Sequence, residues 1–303
     1  MYELLARTSR TFALAIPLLP EPSRWNLCLS YLLFRIADTL EDAPAWSRAE
    51  RLHALEQWAD LLEVPDLPRA RALCERWRET SPVSHAGYLD LLAAAASVLE
   101  EVLRLPEDTR RTVLAHALRT TRGMHAILEK ADEAGNVSLT SLEELRAYCY
   151  TVAGIVGELI TELFVLDVPG LASVKKTLVE HQLEFGEGLQ LVNILKDEKE
   201  DAREGRVYLP AGVARAEVLA LARQDLLGAW AYIDALKLGG APAGCVAFTS
   251  LSAELADATL DLLEQRGAGA KVPRDQVLEV FGRHQRAASA WAEAHSASAQ
   301  SGK

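Results

Sequence analysis

The stretch Tyr31–Asp42 reads YLLFRIADTLED, a largely apolar run with three carboxylates among its last five residues. Leu, Ile and Ala dominate it and no glycine or proline interrupts it, which favours a buried α-helix. At 3.6 residues per turn, Asp38, Glu41 and Asp42 share one face at the helix C-terminus, and we name them the first acidic motif. Like charges repel there and the helix dipole disfavours anions, so the pattern indicates a bound cation such as Mg²⁺.

A second acidic run lies inside Gly188–Pro210, which reads GLQLVNILKDEKEDAREGRVYLP. On a helix, Asp197 and Asp201 are one turn apart and share a face, and we name them the second acidic motif. Gln190 and Asn193 lie behind them on that face. Either run alone is more typical of a solvated helix face. The apolar helices leading into both runs favour the other interpretation, in which the carboxylates line an internal cavity.

Basic side chains lie close to both acidic motifs. Arg35 precedes Asp38 by nearly one helical turn. Lys196 adjoins the second acidic motif, and Arg203 and Arg206 follow it. Acidic and basic groups around a divalent cation are the arrangement that binds a polyanion such as diphosphate. Each arginine taken singly is also explained by an ordinary surface ion pair.

An apolar stretch between the two motifs, Tyr148–Ile160, reads YCYTVAGIVGELI and is helical by context. Its two glycines each cost about 1 kcal/mol relative to alanine in a helix, so they need a reason. One reason is close packing against another helix. The other is the wall of an apolar tunnel, with Val152, Val156 and Ile160 on one stripe and Tyr148 at the polar mouth.

Composition narrows the class of protein. The 303-residue chain has 32 Lys and Arg against 43 Asp and Glu, a net charge of −11. A general nucleic-acid binder needs a basic surface to displace counterions, so that class is disfavoured. The hydrophobic share of 50% indicates a folded globular protein.

Three features concern the cellular compartment. The four cysteines are far apart, with neither C-x-x-C nor metal-ligand spacing, which is typical of a reducing cytoplasm. The start, MYELLARTSR, lacks the apolar core of a signal peptide. The longest apolar run, Leu91–Leu99, is far shorter than the roughly 18 residues of a spanning helix. We therefore expect a cytoplasmic protein with at most a peripheral membrane contact.

The chain reads as helical almost throughout, because Leu, Ala, Glu and Arg dominate and β-branched alternation is scarce. We predict one all-α domain over residues 1–295, with roughly ten helices around a central cavity. Residues 296–303 are small and polar and are expected to fray.

Some helix limits are marked by particular residues. One short helix is expected over Ser9–Ala15 and one longer helix over Ala86–Leu103. Thr140 and Glu143 are expected to form a capping box that opens the next helix. Gly205 is expected to end the helix that carries the second acidic motif.

Four segments in this order resemble the squalene/phytoene synthase family of head-to-head prenyltransferases, in particular the bacterial squalene synthases. They are SRTF (Ser9–Phe12), YLLFRIADTLED (Tyr31–Asp42), YCYTVAGIVG (Tyr148–Gly157) and GLQLVNILKDEKEDAREGRVYLP (Gly188–Pro210). The joint match is specific, unlike any one carboxylate run. It implies an all-α bundle of the isoprenoid-synthase type.

The resemblance also implies roles for individual residues. The implied Mg²⁺ ligands are Asp38, Glu41, Asp42, Asp197 and Asp201. Tyr148 is implied to assist proton removal and is grouped with the four aspartates as catalytic. The implied substrate-binding positions are Ser9, Arg10, Phe12, Tyr31, Arg35, Val152, Val156, Gln190, Asn193, Lys196 and Arg206. Lys196 stands where the family usually has arginine, so the bidentate fork is lost there.

The reaction implied is the Mg²⁺-dependent condensation of two prenyl diphosphates through a cyclopropyl diphosphate. Two farnesyl diphosphates would give squalene when NADPH supplies a hydride, or dehydrosqualene when a proton is lost. Lys271 and Arg274 are candidates for a cofactor phosphate, although a solvated loop is the more usual explanation of such residues. No obligate protein partner is expected.

Three alternatives stay open at this stage. The first is phytoene synthesis from geranylgeranyl diphosphate. The second is a hydrolase of the same fold, which admits water and releases a prenyl alcohol. The third is a helical scaffold whose acidic motifs are merely solvated.

Overall fold

Helices account for most of the computed structural model, which describes residues 1–9 and 11–301, with side chains as far as 294. This confirms the all-α class. The helices are α1 (Tyr2–Thr8), α2 (Phe12–Ala15), α3 (Ser23–Glu41), α4 (Arg48–Glu63), α5 (Leu67–Thr80), α6 (Ala86–Ala93), α7 (Ala95–Leu103), α8 (Glu107–Lys130), α9 (Leu142–Cys149), α10 (Ile155–Asp167), α11 (Lys175–Arg203), α12 (Arg215–Leu238), α13 (Ala243–Arg266) and α14 (Arg274–Ser301).

Shorter elements connect some of these helices. A π-helical turn, Tyr150–Gly154, joins α9 to α10, and 3₁₀ turns cover Ile16–Leu18 and Pro169–Val174. Two strands, β1 (Val137–Ser138) and β2 (Arg206–Val207), pair in parallel.

The chain folds into two compact units, each assembled from segments far apart in sequence. Unit 1 consists of Met1–Ala13, Trp25–Leu139 and Ala202–Tyr208. Unit 2 consists of Leu14–Arg24, Thr140–Asp201 and Leu209–Lys303. The single domain over residues 1–295 stays a prediction.

In unit 1, α3 is a core helix. Its apolar side chains Leu29, Leu32, Leu33, Ile36 and Leu40 are fully buried. Each such side chain stabilises the fold by about 1.5–3 kcal/mol relative to exposure. Burial therefore fixes α3 along its length, and the first acidic motif lies in its last turn.

In unit 2, glycines bring α11 close to the segment that carries Tyr148. A Cβ on Gly157 would overlap the carbonyl oxygen of Gln182, and one on Gly186 would overlap that of Ala153. The apolar stretch was explained either by close helix packing or by a tunnel wall. These contacts show close helix packing at its glycines.

The N-terminal helix limits differ from the prediction. The helix expected near Ser9–Ala15 is present as α2 but begins later, at Phe12, because Ser9 is extended, with φ −140° and ψ 145°. The Ser9 hydroxyl accepts a hydrogen bond from the Phe12 amide at 3.0 Å. Serine competes for backbone donors in this way, so it favours a helix boundary over a helix interior.

Other limits also need correction. Ala94 leaves helical geometry, with φ −93° and ψ 1°, so two helices replace the one expected over Ala86–Leu103. The capping residue of α9 is Ser141, which accepts from the Glu144 amide, one position later than predicted. Glu144 also accepts from the Thr140 amide at 2.6 Å.

Of two predicted C-terminal helix limits, one is confirmed and one is wrong. Gly205 has a φ of +77°, as expected of a glycine that ends a helix. The last helix continues past the expected end at His295 to Ser301, because no glycine or proline interrupts that stretch. Gly302 and Lys303 lie outside the described residues.

One continuous helical stretch, Leu142–Asp167, is long and apolar enough to cross a bilayer. Its mean hydropathy reaches 1.6 over 18 residues, and half of that window is buried inside the protein. The search for uninterrupted apolar runs missed it because Glu158 and Glu162 lie within it. Core helices pass the same test, and the expectation that the chain does not cross a membrane stays a prediction.

Candidate active site

The end of α3 brings acidic and basic side chains together in unit 1. Arg35 Nη1 donates to Asp38 Oδ2 one turn along the helix. The charge of Asp38 raises the pKa of the Arg35 guanidinium, which is therefore always protonated. The structure thus pairs a predicted diphosphate-binding residue with a predicted metal ligand.

A second arginine reaches the first acidic motif from far along the chain. Arg206, in β2, donates from Nη1 to Asp42 Oδ1 at 2.7 Å. Its Nη2 contacts Glu204. Arg206 comes just after α11, so the contact joins residues 164 positions apart. Two of the residues singled out by the sequence are therefore neighbours in unit 1.

Three carboxylates crowd together in the first acidic motif, and two of them, Glu41 and Asp42, have raised pKa values. Burial, then the charges of Asp42 and Asp38, raise the pKa of Glu41. Nearby protein atoms partly desolvate the Asp42 carboxylate, and the negative charge of Asp38 lies close to it. Both effects raise the pKa of Asp42 to about 6, although 47% of its side chain is accessible to solvent. A divalent cation would relieve this repulsion.

The donor set fits Mg²⁺, because Mg²⁺ prefers carboxylate oxygens and shares them with substrate phosphates. Among residues 1–9 and 11–301, no three His, Cys, Asp or Glu side chains converge as a ready metal site. Asp38 and Asp42 instead each contact an arginine. Their role as metal ligands stays a prediction.

Aromatic rings hold Arg35 in place. Tyr31 donates to the Thr8 carbonyl at 2.8 Å and accepts from Arg35 Nε at 3.0 Å. The Arg35 guanidinium lies 5.5 Å from the Tyr31 ring centroid and 5.9 Å from that of Tyr88. The Phe12 ring lies 5.4 Å from Tyr31. Tyr88 was missed by sequence reasoning, since nothing in its local pattern distinguishes it from an ordinary helical residue.

Two further predicted substrate-binding residues, Ser9 and Arg10, shortly precede Phe12 in the sequence. Ser9 is half-buried and caps α2. Arg10 lies outside the described residues.

In unit 2, α11 gathers the polar residues around the second acidic motif. Lys196 Nζ donates to Asn193 Oδ1 at 2.9 Å and lies 3.2 Å from Asp197 Oδ2. Gln190 is half-buried one turn earlier. Asp201 is half-buried on the same helix. The structure thus brings Asn193, Lys196 and Asp197 into direct contact.

The loop that precedes α14 touches this helix. The Gly269 amide donates to the Lys196 carbonyl at 2.9 Å. Lys271 and Arg274, the candidates for a cofactor phosphate, are exposed. Their role stays a prediction.

The apolar wall residues straddle the π-helical turn Tyr150–Gly154. Tyr148 precedes this turn and is only 9% exposed. Val152 and Val156 are half-buried, within the turn and after it. π-helical turns are rare in proteins, and those that occur are often found at functional sites. The sequence did not reveal this one, because its residue types suit an α-helix as well.

Sequence reasoning also missed a buried ion-pair cluster formed by Arg146, Glu187 and Asp225. Arg146 Nη1 lies 3.1 Å from Glu187 Oε2 and donates to Asp225 Oδ2. The two carboxylate side chains are 8% and 3% exposed. Burial raises the pKa of Glu187 to about 7 and also raises that of Asp225. Three helices supply one residue each, so no local spacing signals the cluster.

Comparisons with known proteins agree with this architecture. The squalene/phytoene synthase family model matches residues 5–220. Squalene synthase of Schizosaccharomyces pombe is 30% identical over 212 residues, covering 69% of this chain and 43% of that protein. Phytoene synthase 3 of Zea mays, chloroplastic, is 32% identical over 225 residues, covering 72% and 45%.

A solved structure shows the same fold. The complex of TcSQS with the ligand BPH1237 superposes with a TM-score of 0.74 at 22% identity, covering 96% of this chain and 87% of that one. The chain spans less than half the length of the two curated relatives. The family model nevertheless matches well over half of this chain. The chain therefore belongs to the squalene/phytoene synthase family.

Proposed function

We propose that the chain is a Mg²⁺-dependent prenyltransferase that condenses two prenyl diphosphates head to head, with farnesyl diphosphate as the substrate. The observation that carries the proposal is the Arg206–Asp42 ion pair at the end of α3, 2.7 Å long. It places an anion-binding guanidinium directly on the first acidic motif, in a chain of the matching family.

The charged residues would bind and activate the leaving diphosphate. Both acidic motifs would hold Mg²⁺, which when bound supplies a Lewis acid for the departing phosphate oxygens. Arg35 and Arg206 would neutralise further negative charge, because guanidinium groups match phosphate oxygens in geometry. Lys196 would serve the same purpose beside Asp197.

The carbon chemistry follows from loss of that diphosphate. The allylic C–O bond breaks, and the double bond of the second substrate adds to the carbocation. Loss of a proton, assisted by Tyr148, gives a cyclopropyl diphosphate. A second loss of diphosphate and a rearrangement give a 1,1′-linked cation. Val152 and Val156 would exclude water from these cations.

The final cation has two fates. A hydride from NADPH gives squalene, and proton loss gives dehydrosqualene. Lys271 and Arg274 would bind the NADPH phosphate. We also propose a cytoplasmic location and a peripheral membrane contact through which the apolar product leaves. The chain would act without an obligate protein or nucleic-acid partner.

Phytoene synthesis from geranylgeranyl diphosphate is the second candidate function. The 32% identity to phytoene synthase 3 of Zea mays favours it. Chain length distinguishes the two candidates, because the depth of the apolar site sets which substrate fits.

Gas chromatography of the products tests the proposal. The chain is incubated with Mg²⁺ and either farnesyl or geranylgeranyl diphosphate, with and without NADPH. We expect a C30 hydrocarbon from farnesyl diphosphate, with squalene replacing dehydrosqualene when NADPH is added. A C40 product from geranylgeranyl diphosphate alone supports the second candidate. Farnesol alone supports a hydrolase, and the absence of any product in all four reactions contradicts the proposal.

A further inference from the structure

We propose that Arg51 is a positioning residue that holds the first acidic motif and Arg206 together. This inference rests on the proposed function, because it concerns how the diphosphate site of unit 1 is built. Neither the acidic motifs nor the family resemblance singled out Arg51. Its contacts carry the argument.

Arg51 ties the end of α3 to the loop that follows α8. Its Nη1 donates to the Glu41 carbonyl at 3.1 Å, and its Nη2 donates to the Ala134 carbonyl at 3.3 Å. The last carbonyls of a helix lack partners within the helix. Arg51 supplies one to the residue that ends α3, inside the first acidic motif.

The loop is shaped to receive this arginine. Gly135 has a φ of +83°, a conformation that other residues rarely adopt. A Cβ at Gly135 would overlap Arg51 Nη2. The Asp132 carboxylate also accepts from the Asn136 amide at 2.8 Å, which closes the turn. Glycine is therefore required here both by backbone geometry and by the position of Arg51.

The same loop continues into the strand pair that fixes Arg206. The Val137 amide donates to the Gly205 carbonyl at 3.1 Å, and the Leu139 amide donates to the Val207 carbonyl at 3.0 Å. A Cβ at Gly205 would overlap the Asn136 side chain. The backbone on both sides of Arg206 is thus held by the loop that Arg51 anchors.

The contacts close into a ring. From Glu41 they pass through Arg51 to the loop at Ala134, then through β1 to Arg206 in β2. From Arg206 they return to Asp42, the residue after Glu41. Arg51 is one link of this ring. Its removal would free the loop and loosen the placement of Arg206 on Asp42.

A buried atom supports this interpretation. Within the part of the chain that the structure describes, Arg51 Nε is buried and has no hydrogen-bond acceptor. An unsatisfied buried donor is costly, so stability alone is a weak explanation for an arginine here. Its carbonyl contacts and its position beside Glu41 and Asp42 explain it better.

Arg48 provides a matched control on the same helix. Its Nε donates to the Leu128 carbonyl at 2.9 Å and its Nη2 to the Glu129 carbonyl. It therefore makes the same kind of contact, but to the end of α8 and not to the first acidic motif. Arg51→Met and Arg48→Met each remove a guanidinium that binds two carbonyls.

The test compares Arg51→Met, Arg48→Met and the unmodified chain. Without metal, hydrogen exchange is measured on peptides that contain Val137, Leu139 and Arg206. With Mg²⁺, the affinity for inorganic pyrophosphate is measured by calorimetry. We expect Arg51→Met to accelerate exchange in these peptides and to weaken pyrophosphate binding about tenfold. Arg48→Met should change neither by more than about twofold.

Equal pyrophosphate affinity in Arg51→Met and the unmodified chain would overturn the proposal. Equal weakening by Arg48→Met would also overturn it, because the effect would then be general. If Arg51→Met does not fold, Arg51→Lys takes its place, and the same changes in hydrogen exchange and pyrophosphate affinity are expected of it. Lysine keeps the charge but cannot bridge both carbonyls. If the unmodified chain neither binds pyrophosphate nor forms product, the proposed function fails instead.

Discussion

Two carboxylate clusters of this chain share one electrostatic feature and differ in access. The first acidic motif, in unit 1, and the buried ion-pair cluster, in unit 2, both contain acids with raised pKa values beside arginines. The Asp38 and Asp42 side chains are 35% and 47% exposed. Those of Glu187 and Asp225 are 8% and 3% exposed.

This difference assigns the two clusters different roles. A perturbed carboxylate is a candidate for function only where a ligand can reach it, since structural ion pairs perturb pKa values too. In the first acidic motif, Asp38 and Asp42 are partly exposed. Partial desolvation and the charge of Asp38 raise the pKa of Asp42, and a bound cation would relieve the repulsion. In the buried ion-pair cluster both carboxylates are enclosed, although the Arg146 side chain is 38% exposed, and the cluster joins α9, α11 and α12. We expect the first acidic motif to bind the substrate and the buried ion-pair cluster to stabilise the fold.

The largest expected effect is on catalysis at the acidic motifs. Asp38→Asn and Asp197→Asn each remove one charge from the proposed Mg²⁺ sites, so turnover of farnesyl diphosphate should fall about 1,000-fold. The melting temperature should stay within a few degrees of the original, because both side chains are partly exposed. Steady-state rates check this, and normal rates in both variants would contradict the proposed Mg²⁺ role of the acidic motifs.

The next effect is on stability at the buried ion-pair cluster. Arg146→Met leaves two buried carboxylates without their cation, so the free energy of unfolding should fall by about 3 kcal/mol. Arg35→Met is the control, since Arg35 pairs with the half-buried Asp38 and also donates to Tyr31, and the variant should lose only about 1–2 kcal/mol. Urea unfolding measures both. Similar losses of unfolding free energy in the two variants would contradict the different roles assigned to the two clusters.

A smaller effect depends on pH and concerns Glu187. Its pKa of about 7 in the folded state is above the unfolded value, so the folded state binds the extra proton between about pH 4.5 and 7. Stability from this group is therefore full below about pH 4.5 and is lost as the pH rises through 7. The partners that face it are Arg146, Asp225 and Glu184.

Glu187→Gln should remove that pH dependence. We expect the variant to match the original chain near pH 5 and to exceed its unfolding free energy by about 2 kcal/mol near pH 8. Urea unfolding at both values checks this. A difference that shrinks as the pH rises would contradict the assignment of Glu187.

The smallest effect comes from the glycine that faces the buried ion-pair cluster. A Cβ at Gly154 would lie 2.9 Å from Tyr150 Cδ2 and 3.0 Å from Glu187 Oε1, so Gly154→Ala should cost about 1–2 kcal/mol by displacing that ring and that carboxylate. Gly282→Ala, on α14, meets only the flexible Arg286 side chain at 3.3 Å. It should be neutral or stabilise by up to about 1 kcal/mol. Thermal unfolding of both variants separates close packing from a general effect of the substitution.

The sequence predicted what depends on local spacing. The all-α class and the shared face of the first acidic motif follow from helical periodicity, and both are seen. The contact between Asp42 and Arg206 could not be predicted from local spacing, because 164 residues separate them, although the resemblance assigned a role to each. The roles of Arg51, Tyr88 and Arg146 could not be predicted, since their partners come from other segments of the chain.

Local patterns also failed where two structures suit the same residues. Tyr150–Gly154 has the composition of an α-helix but forms a π-helical turn. Ser141 and Thr140 are both good capping residues, and the structure selects Ser141. The glycines at 154 and 157 fitted either a tunnel wall or close packing; the position of α11 shows close packing at both, and the tunnel wall stays a prediction.

The central claim is that the open first acidic motif binds the Mg²⁺-diphosphate group while the buried ion-pair cluster does not. Thermal unfolding with Mg²⁺ and farnesyl thiodiphosphate tests it most directly, on the original chain, Asp38→Asn and Glu187→Gln. We predict that the ligand raises the melting temperature of the original chain and of Glu187→Gln by about 5 °C and leaves Asp38→Asn unchanged. Stabilisation of Asp38→Asn together with none in Glu187→Gln would contradict the account.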